Sequence, residues 1–157
     1  MRKLLGLMAG LSLLLTPAAG ASATPPTINS EEPGAKALAR RPALIVYSGD
    51  GAAFLAGLGA SAGYPAHLHW TMWSRTQAQA WGGDWHNNCL PSCVQGIFTA
   101  YRANVHLDRP EVLGGHLVFT RMTVTYPDAV PPYPAYKSGT WTVRAHYDAQ
   151  YDSYFWQ

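Results

Sequence analysis

Apolar and polar residues alternate along much of the chain, with the period of two that places successive side chains on opposite faces of a β-strand. Five segments show this alternation, and turns rich in glycine, proline or Asp-Gly separate them. The segments are residues 43–47, 67–75, 94–107, 116–126 and 140–147. Only residues 52–58 resemble a short helix. The pattern predicts an all-β fold, an antiparallel β-sandwich or a partly open barrel with one short helix at most.

The segment 67–75 gives the clearest assignment of side chains to faces. Alternation predicts that Leu68, Trp70 and Met72 face the core. The opposite row, predicted to face outward, consists of His67, His69, Thr71, Trp73 and Arg75. It combines an aromatic plate, two imidazoles and a cation, and the nearby Trp81 extends it. We therefore predict a binding surface made of Trp73, His67, His69, Arg75 and Trp81.

The N-terminus has the layout of a secretory signal peptide. Arg2 and Lys3 precede an apolar run over residues 4–15, and small residues before Thr24 suit signal peptidase. We predict a signal peptide over residues 1–23, a flexible Pro-rich leader over 24–42 and a single β domain over 43–157. The apolar run is too short to span a bilayer. The processed protein is therefore predicted to be secreted and not integral to a membrane.

The charge balance argues against an electrostatic nucleic-acid binder. The chain has 11 Lys and Arg against 9 Asp and Glu, a formal net charge of +2, and Arg2 and Lys3 leave with the predicted signal peptide. Binding to nucleic acid would need a clustered basic face. Paired carboxylates at the spacing of a glycosidase are not recognisable either. We predict no catalytic residues and no cofactor.

The two cysteines, Cys89 and Cys93, are the only ones in the chain, and His86 precedes them. A helical metal site over these residues is disfavoured because Pro91 lies inside the span. A redox dithiol has two residues between its cysteines and opens a helix beside a parallel sheet, neither of which applies here. In an exported chain the remaining prediction is a disulfide, which closes a short loop and contributes about 2 kcal/mol.

Two further patterns keep an enzyme alternative open. Residues 59–63 fit G-x-S-x-G, which marks a nucleophile only between a strand and a helix of a large parallel sheet, so a small-residue loop is the prediction. His67 and His69 lie two residues apart and chelate a metal only if a third ligand converges on them. We predict no metal. The alternative function is a small extracellular hydrolase or a metal-dependent enzyme.

Several short motifs occur together between residues 43 and 126. They are Asn88-Cys89-Leu90-Pro91-Ser92-Cys93 followed by Gly96, Gly49-Asp50-Gly51, the pair Trp70 and Trp73, and Phe119-Thr120-Arg121-Met122-Thr123. In these motifs the chain resembles an uncharacterised family of small secreted actinobacterial proteins with an N-x-C-x-P-x-C type disulfide loop. The resemblance implies export, a disulfide and a small β domain, and it carries over no catalytic residue.

Aromatic residues are the remaining functional signal, with 6 Trp, 9 Tyr and 4 Phe. Exposed Trp and Tyr side chains on a β-sheet stack on apolar faces of ligands such as sugars. We therefore predict a secreted, non-enzymatic binding or interaction module of the cell envelope or extracellular space. Its predicted partner is a cell-wall glycan or an envelope protein.

Overall fold

The structure, a computed structural model, describes residues 24–30, 38–61 and 64–157. The predicted signal peptide, residues 1–23, lies outside the described residues. The strands are β1 (Ile28–Asn29), β2 (Leu38–Ala39), β3 (Ile45–Val46), β4 (Ala53–Ala56), β5 (Ala60–Ser61), β6 (Tyr64–Pro65), β7 (His69–Trp73), β8 (Ala78–Asn87), β9 (Phe98–Leu113), β10 (His116–Thr125), β11 (Thr140–Asp148) and β12 (Ser153–Trp156). A single 3-10 turn, Pro134–Tyr136, is the one helical element in these ranges. The all-β prediction is confirmed.

One antiparallel sheet of eight strands forms the body of the molecule and curls into a half-barrel. Its order is β12-β11-β10-β9-β8-β4-β3, and β7 also pairs with β8. Strands β4 and β7 therefore share one edge of β8, with β9 on the other. Two-stranded sheets formed by β1 with β2 and by β5 with β6 are additions to this body. Over the described residues, no helix has the length and apolarity that crossing a bilayer requires.

The inner face of the curl carries the hydrophobic core. On β9, Ala103 and Val105 are buried and Asn104 between them is exposed, as period-two alternation requires. On β10, Met122 and Val124 are fully buried by the same alternation. The opposite side of the sheet is its outer face, which is the surface available to a partner.

Part of the segment predicted to be a flexible leader packs on the domain instead. Ile28 is fully buried in the core, and Thr27 forms a parallel bridge with Val118 of β10. The Trp73 indole N–H donates a hydrogen bond to the carbonyl of Pro26 over 2.9 Å. The physical reason is that burying the apolar side chain of Ile28 is favourable. Because prolines flank this residue in the sequence, composition alone does not distinguish the segment from a linker.

Strand β8 is central to the sheet and was not among the predicted strands, because Gly82 and Gly83 interrupt its apolar pattern. A Cβ at Gly82 would lie 2.1 Å from the carbonyl oxygen of Ala56, so the position requires glycine for close approach of β4. Residues 52–58, predicted to be helical, contain β4, and that prediction is wrong. Backbone pairing with β8 determines the conformation of this short segment.

A β-bulge in β7 changes which side chains face outward. Trp70 is opposite Ala80 but Met72 is opposite Gln79, so one extra residue lies between them. Beyond the bulge, Trp73 is opposite Ala78, which is fully buried. The inward assignment of Met72 and the outward assignment of Trp73 are therefore wrong, because a one-residue offset exchanges the two faces.

Candidate functional site

A groove on the outer face of the sheet crosses strands β7 to β10 and has a volume of about 430 Å³. Its exposed side chains are polar or aromatic, and the buried residues Ala80 and Val105 also contribute to its lining. We call this surface the outer groove. It is lined by Thr71, Gln79, Ala80, Trp81, Asn104, Val105, His106, Thr123 and Thr125.

Strand register places the groove side chains in two parallel rows. One row runs across the strands as Gln79, His106 and Thr123, and Thr142 of β11 continues it. The other row is Trp81, Asn104, Thr125 and Thr140, and His69 of β7 lies on the far side of Trp81. Adjacent strands lie about 4.8 Å apart, so each row presents one side chain at that interval.

The aromatic wall of the outer groove is the Trp81 indole, which is 39% exposed. The His69 ring lies against it, with centroids 4.9 Å apart and planes inclined by 43°. Within the described part of the chain, the Trp81 indole N–H has no hydrogen-bond acceptor. The groove thus offers a supported aromatic plate with a free donor at its edge.

The polar wall combines two side-chain amides that the fold does not use with hydroxyls and an imidazole that are hydrogen-bonded to neighbours. The side-chain amides of Gln79 and Asn104 are exposed and bind no other group among the described residues. The imidazole of His106 contacts Gln77, with Nε2 3.1 Å from Oε1. The hydroxyls of Thr125 and Thr140 are 3.3 Å apart and bonded to each other. Amides, hydroxyls and an imidazole are groups that recognise neutral polar ligands.

Charge begins only beyond the outer groove, one row further along the strands. There Arg121 forms a bidentate ion pair with Asp108, with Nε 2.6 Å from Oδ1. The hydrogen bonds from the Arg121 guanidinium hold the pKa of the Asp108 carboxyl below its usual range. Arg144 of β11 continues this row as an exposed cation opposite Arg121, so charge borders the groove but is absent from its lining.

A second polar arrangement lies on the inner face, around the fully buried Asp84. The hydroxyl of Tyr47 donates to Oδ1 over 2.6 Å, and the hydroxyl of Tyr126 donates to Oδ2. His86 Nε2 lies 3.1 Å from Oδ2, and the Trp141 indole N–H donates to the Tyr126 oxygen over 2.7 Å. We call Tyr47, Asp84, His86 and Tyr126 the aspartate cluster.

The aspartate cluster is closed from solvent by further aromatic rings. His86 is 7% exposed, and the rings of Tyr133 and Tyr136 lie 5.5 Å and 5.1 Å from its own. Burial, reinforced by the adjacent Asp84, raises the pKa of both Tyr47 and Tyr126 well above the usual tyrosine range. The hydroxyls of Tyr47 and Tyr126, both carboxylate oxygens of Asp84 and Nε2 of His86 have partners, so the arrangement has the character of a polar core network.

The structure separates the five residues predicted to form a binding surface. Trp81 and His69 come together at the outer groove. Trp73 packs against the core, its ring 5.6 Å from that of Phe119. His67 lies exposed before β7, and Arg75 lies exposed in the turn between β7 and β8.

Sequence reasoning missed Gln79, Asn104 and His106 of the groove and the whole aspartate cluster. Alternation over residues 94–107 places Asn104 and His106 on one face of a strand, but their partners on β8 are not predicted because β8 itself is not. The available signal was the spacing of Gly82, Asp84 and His86, which puts all three on one face of a strand.

The cysteine prediction is confirmed at the level of geometry: the sulfur atoms of Cys89 and Cys93 lie 2.14 Å apart, a disulfide distance.

Residues Ala60–Ser61 of the G-x-S-x-G pattern form β5, which pairs with β6 in a hairpin. That is not the strand-to-helix turn which exposes a nucleophile. Across residues 24–30, 38–61 and 64–157, no three His, Cys, Asp or Glu side chains converge in a way that could hold a metal ion.

Comparison with protein-family models, curated proteins and solved structures gives no match to this chain. The resemblance to small secreted actinobacterial proteins therefore stays a prediction.

Proposed function

We propose that this protein is a secreted, non-enzymatic binding module that recognises a neutral, polyhydroxylated ligand of the cell envelope, a cell-wall glycan, in the outer groove. The observation that carries the proposal is the pair of cross-strand rows. They place the exposed Trp81 plate about one strand spacing from the free amide of Asn104.

The chemistry of the groove selects the ligand class. The C–H face of a sugar ring is apolar and packs on an indole, while its hydroxyls exchange hydrogen bonds with amides and imidazoles. The groove lining contains no Asp, Glu, Lys or Arg, which favours a neutral ligand over a phosphate or a polyanion. A volume of about 430 Å³ falls in the range of ordinary small-ligand sites.

Secretion is part of the proposal and has separate support. A cysteine pair at disulfide distance is typical of an oxidising compartment. The basic and apolar layout of residues 1–23 is that of a signal peptide. We also propose that the chain belongs to the small secreted actinobacterial family that it resembles, and this membership would add to the support for export. Mass spectrometry of the exported protein should give an N-terminus at Thr24.

The test is binding of the protein beginning at Thr24 to purified, insoluble cell-wall polysaccharide. Trp81→Ala should weaken binding about tenfold or more, the loss expected for an aromatic anchor. Its free energy of unfolding should change by less than about 1 kcal/mol, because the side chain is exposed. Tyr151→Ala is the matched control, since Tyr151 is 71% exposed and lies outside the groove.

Unchanged binding by Trp81→Ala would contradict the proposal, as would equal losses in Trp81→Ala and Tyr151→Ala. Trp73→Ala serves as a folding control because Trp73 packs against the core. We expect it to lower the free energy of unfolding by about 3 kcal/mol.

A further inference from the structure

The loop between β8 and β9 presents an apolar tip that no part of the described structure covers. Val94 is 98% exposed, Ile97 is 70% exposed and Leu90 is 69% exposed. We call these three side chains the apolar tip. Large aliphatic groups clustered at such exposure on a soluble domain mark a surface that contacts a partner or a membrane.

Aromatic rings form a base behind the apolar tip on the outer face of the sheet. Phe98 is 39% exposed and packs against Phe54, with centroids 5.3 Å apart. Phe54 in turn stacks on Trp85 at 6.2 Å. The surface therefore changes from aliphatic at its end to aromatic toward the sheet. This is the order of residue types across the boundary of a bilayer, where aromatic rings lie at headgroup level.

The loop forms several hydrogen bonds within itself, which satisfy part of its backbone. The Asn88 side-chain oxygen accepts hydrogen bonds from the Leu90 and Ile97 amides over 3.1 Å and 3.0 Å. The Asn87 side chain accepts from the Cys89 amide and donates to the Cys93 carbonyl. Each internal hydrogen bond lowers the cost of moving the bonded groups out of water.

The stretch around the tip is also uncharged. From His86 to Tyr101 the sequence contains no Asp, Glu, Lys or Arg, and Arg102 is the first charge that follows. An interface with a charged partner would require complementary charges here. A neutral loop with highly exposed aliphatic side chains is instead complementary to hydrocarbon.

We propose that the apolar tip inserts into the surface of a lipid bilayer and holds the protein there reversibly. Insertion of Leu90, Val94 and Ile97 would take the tip to the boundary between headgroups and acyl chains, and Trp85 and Phe98 would lie among the headgroups. The Cys89–Cys93 disulfide closes the loop that carries these side chains. Because the tip lacks charge, binding should depend little on salt. The apolar tip and the outer groove are separate surfaces, so an experiment can contradict the proposal for one without contradicting the proposal for the other.

The test is flotation of the protein with neutral phosphatidylcholine vesicles at low and high salt. The protein begins at Thr24, because residues 4–15 are apolar and would themselves bind lipid. Every described strand lies after that residue. Binding is expected, with less than about a twofold change between the two salt concentrations.

The double variant Val94→Asp/Ile97→Asp should weaken vesicle binding about tenfold or more, since each carboxylate would have to enter the interface. Both side chains are highly exposed, so circular dichroism and thermal stability should be unchanged. Val112→Asp is the matched control. Val112 is 67% exposed near the opposite end of β9, and its replacement should leave binding as it was.

Three results would overturn the proposal. The first is no flotation of the native protein. The second is equal flotation of the native protein and the double variant. The third is a dimer in sedimentation velocity that the double variant abolishes while vesicles are not bound, which would assign the tip to a second copy of this chain.

Discussion

At the scale of single residues, Asp84 is the one Asp, Glu, Lys or Arg of the described structure that is buried. It is fully buried and accepts hydrogen bonds from the hydroxyls of Tyr47 and Tyr126. A buried carboxyl without partners would cost several kcal/mol, so these hydroxyls and the adjacent His86 are what permit it to remain in the core. The aspartate cluster therefore specifies how the inner face packs.

Alkaline pH should expose the contribution of the cluster. The raised pKa of Tyr126 means that the folded protein keeps this proton after the unfolded chain has released it near pH 10. The contribution to stability is complete below pH 10 and decreases above it, by about 1.4 kcal/mol per pH unit for each such tyrosine. Urea unfolding at several pH values measures this slope.

Replacement of Tyr126 by Phe removes one titrating group and should reduce the slope above pH 10 by about 1.4 kcal/mol per pH unit. Tyr151→Phe is the control, because Tyr151 is 71% exposed and lies outside the cluster. If the free energy of unfolding falls equally steeply with pH in Tyr126→Phe and in the native protein, the Tyr126 hydroxyl has the same pKa in the folded and unfolded states. That result would contradict the prediction.

At the scale of elements, β8 organises the sheet because three strands pair with it. Its ability to do so depends on the missing side chain at Gly82, where the carbonyl of Ala56 approaches. Gly82 and its neighbour Gly83 also make the strand hard to recognise in the sequence, since they interrupt the apolar alternation. A glycine that is required for packing against a segment distant in sequence leaves no sign of a strand in the local pattern.

Gly82→Ala should therefore be strongly destabilising. A Cβ would lie 2.1 Å from a backbone oxygen that cannot move without breaking the β4–β8 pairing. We expect a loss of about 3 kcal/mol or more in the free energy of unfolding, measured by urea denaturation.

Gly49→Ala is the matched control, because a Cβ at Gly49 meets no atom within 4 Å. It should change stability by less than about 1 kcal/mol. Comparable effects of the two substitutions would show that the close approach of β4 at Gly82 does not limit packing.

Local patterns predict elements well where alternation is unbroken. Strands β10 and β11 coincide closely with the predicted segments 116–126 and 140–147, because their apolar residues face one continuous core. Strand β7 was located correctly, but its bulge was not predictable from alternation. The bulge is the reason that Trp73, one of the five residues predicted to form the binding surface, faces inward.

At the scale of the whole molecule, the curl of the sheet divides the chain into an inner and an outer surface. The inner surface contains the core and the aspartate cluster. The outer groove and the aromatic base of the apolar tip lie on the outer surface, along successive positions of β8. Trp81 and Trp85 are four residues apart on that strand, about 13 Å, so a groove ligand would lie near any surface that the tip contacts.

The sequence indicated that an aromatic and imidazole surface exists, and two of its five members, Trp81 and His69, do meet. The remaining groove residues come from strands that are far apart in sequence, such as Asn104 and Thr125. Their proximity depends on strand order and register, which a single sequence does not determine.

The central claim is that the outer groove is the binding surface, and the most direct measurement is nuclear magnetic resonance of the isotopically labelled protein during titration with a soluble cell-wall oligosaccharide. We predict shift changes that concentrate on Gln79, Trp81, Asn104, His106 and Thr123, including the indole N–H of Trp81. Shift changes centred on the aspartate cluster, on the apolar tip or on no contiguous surface would contradict the account.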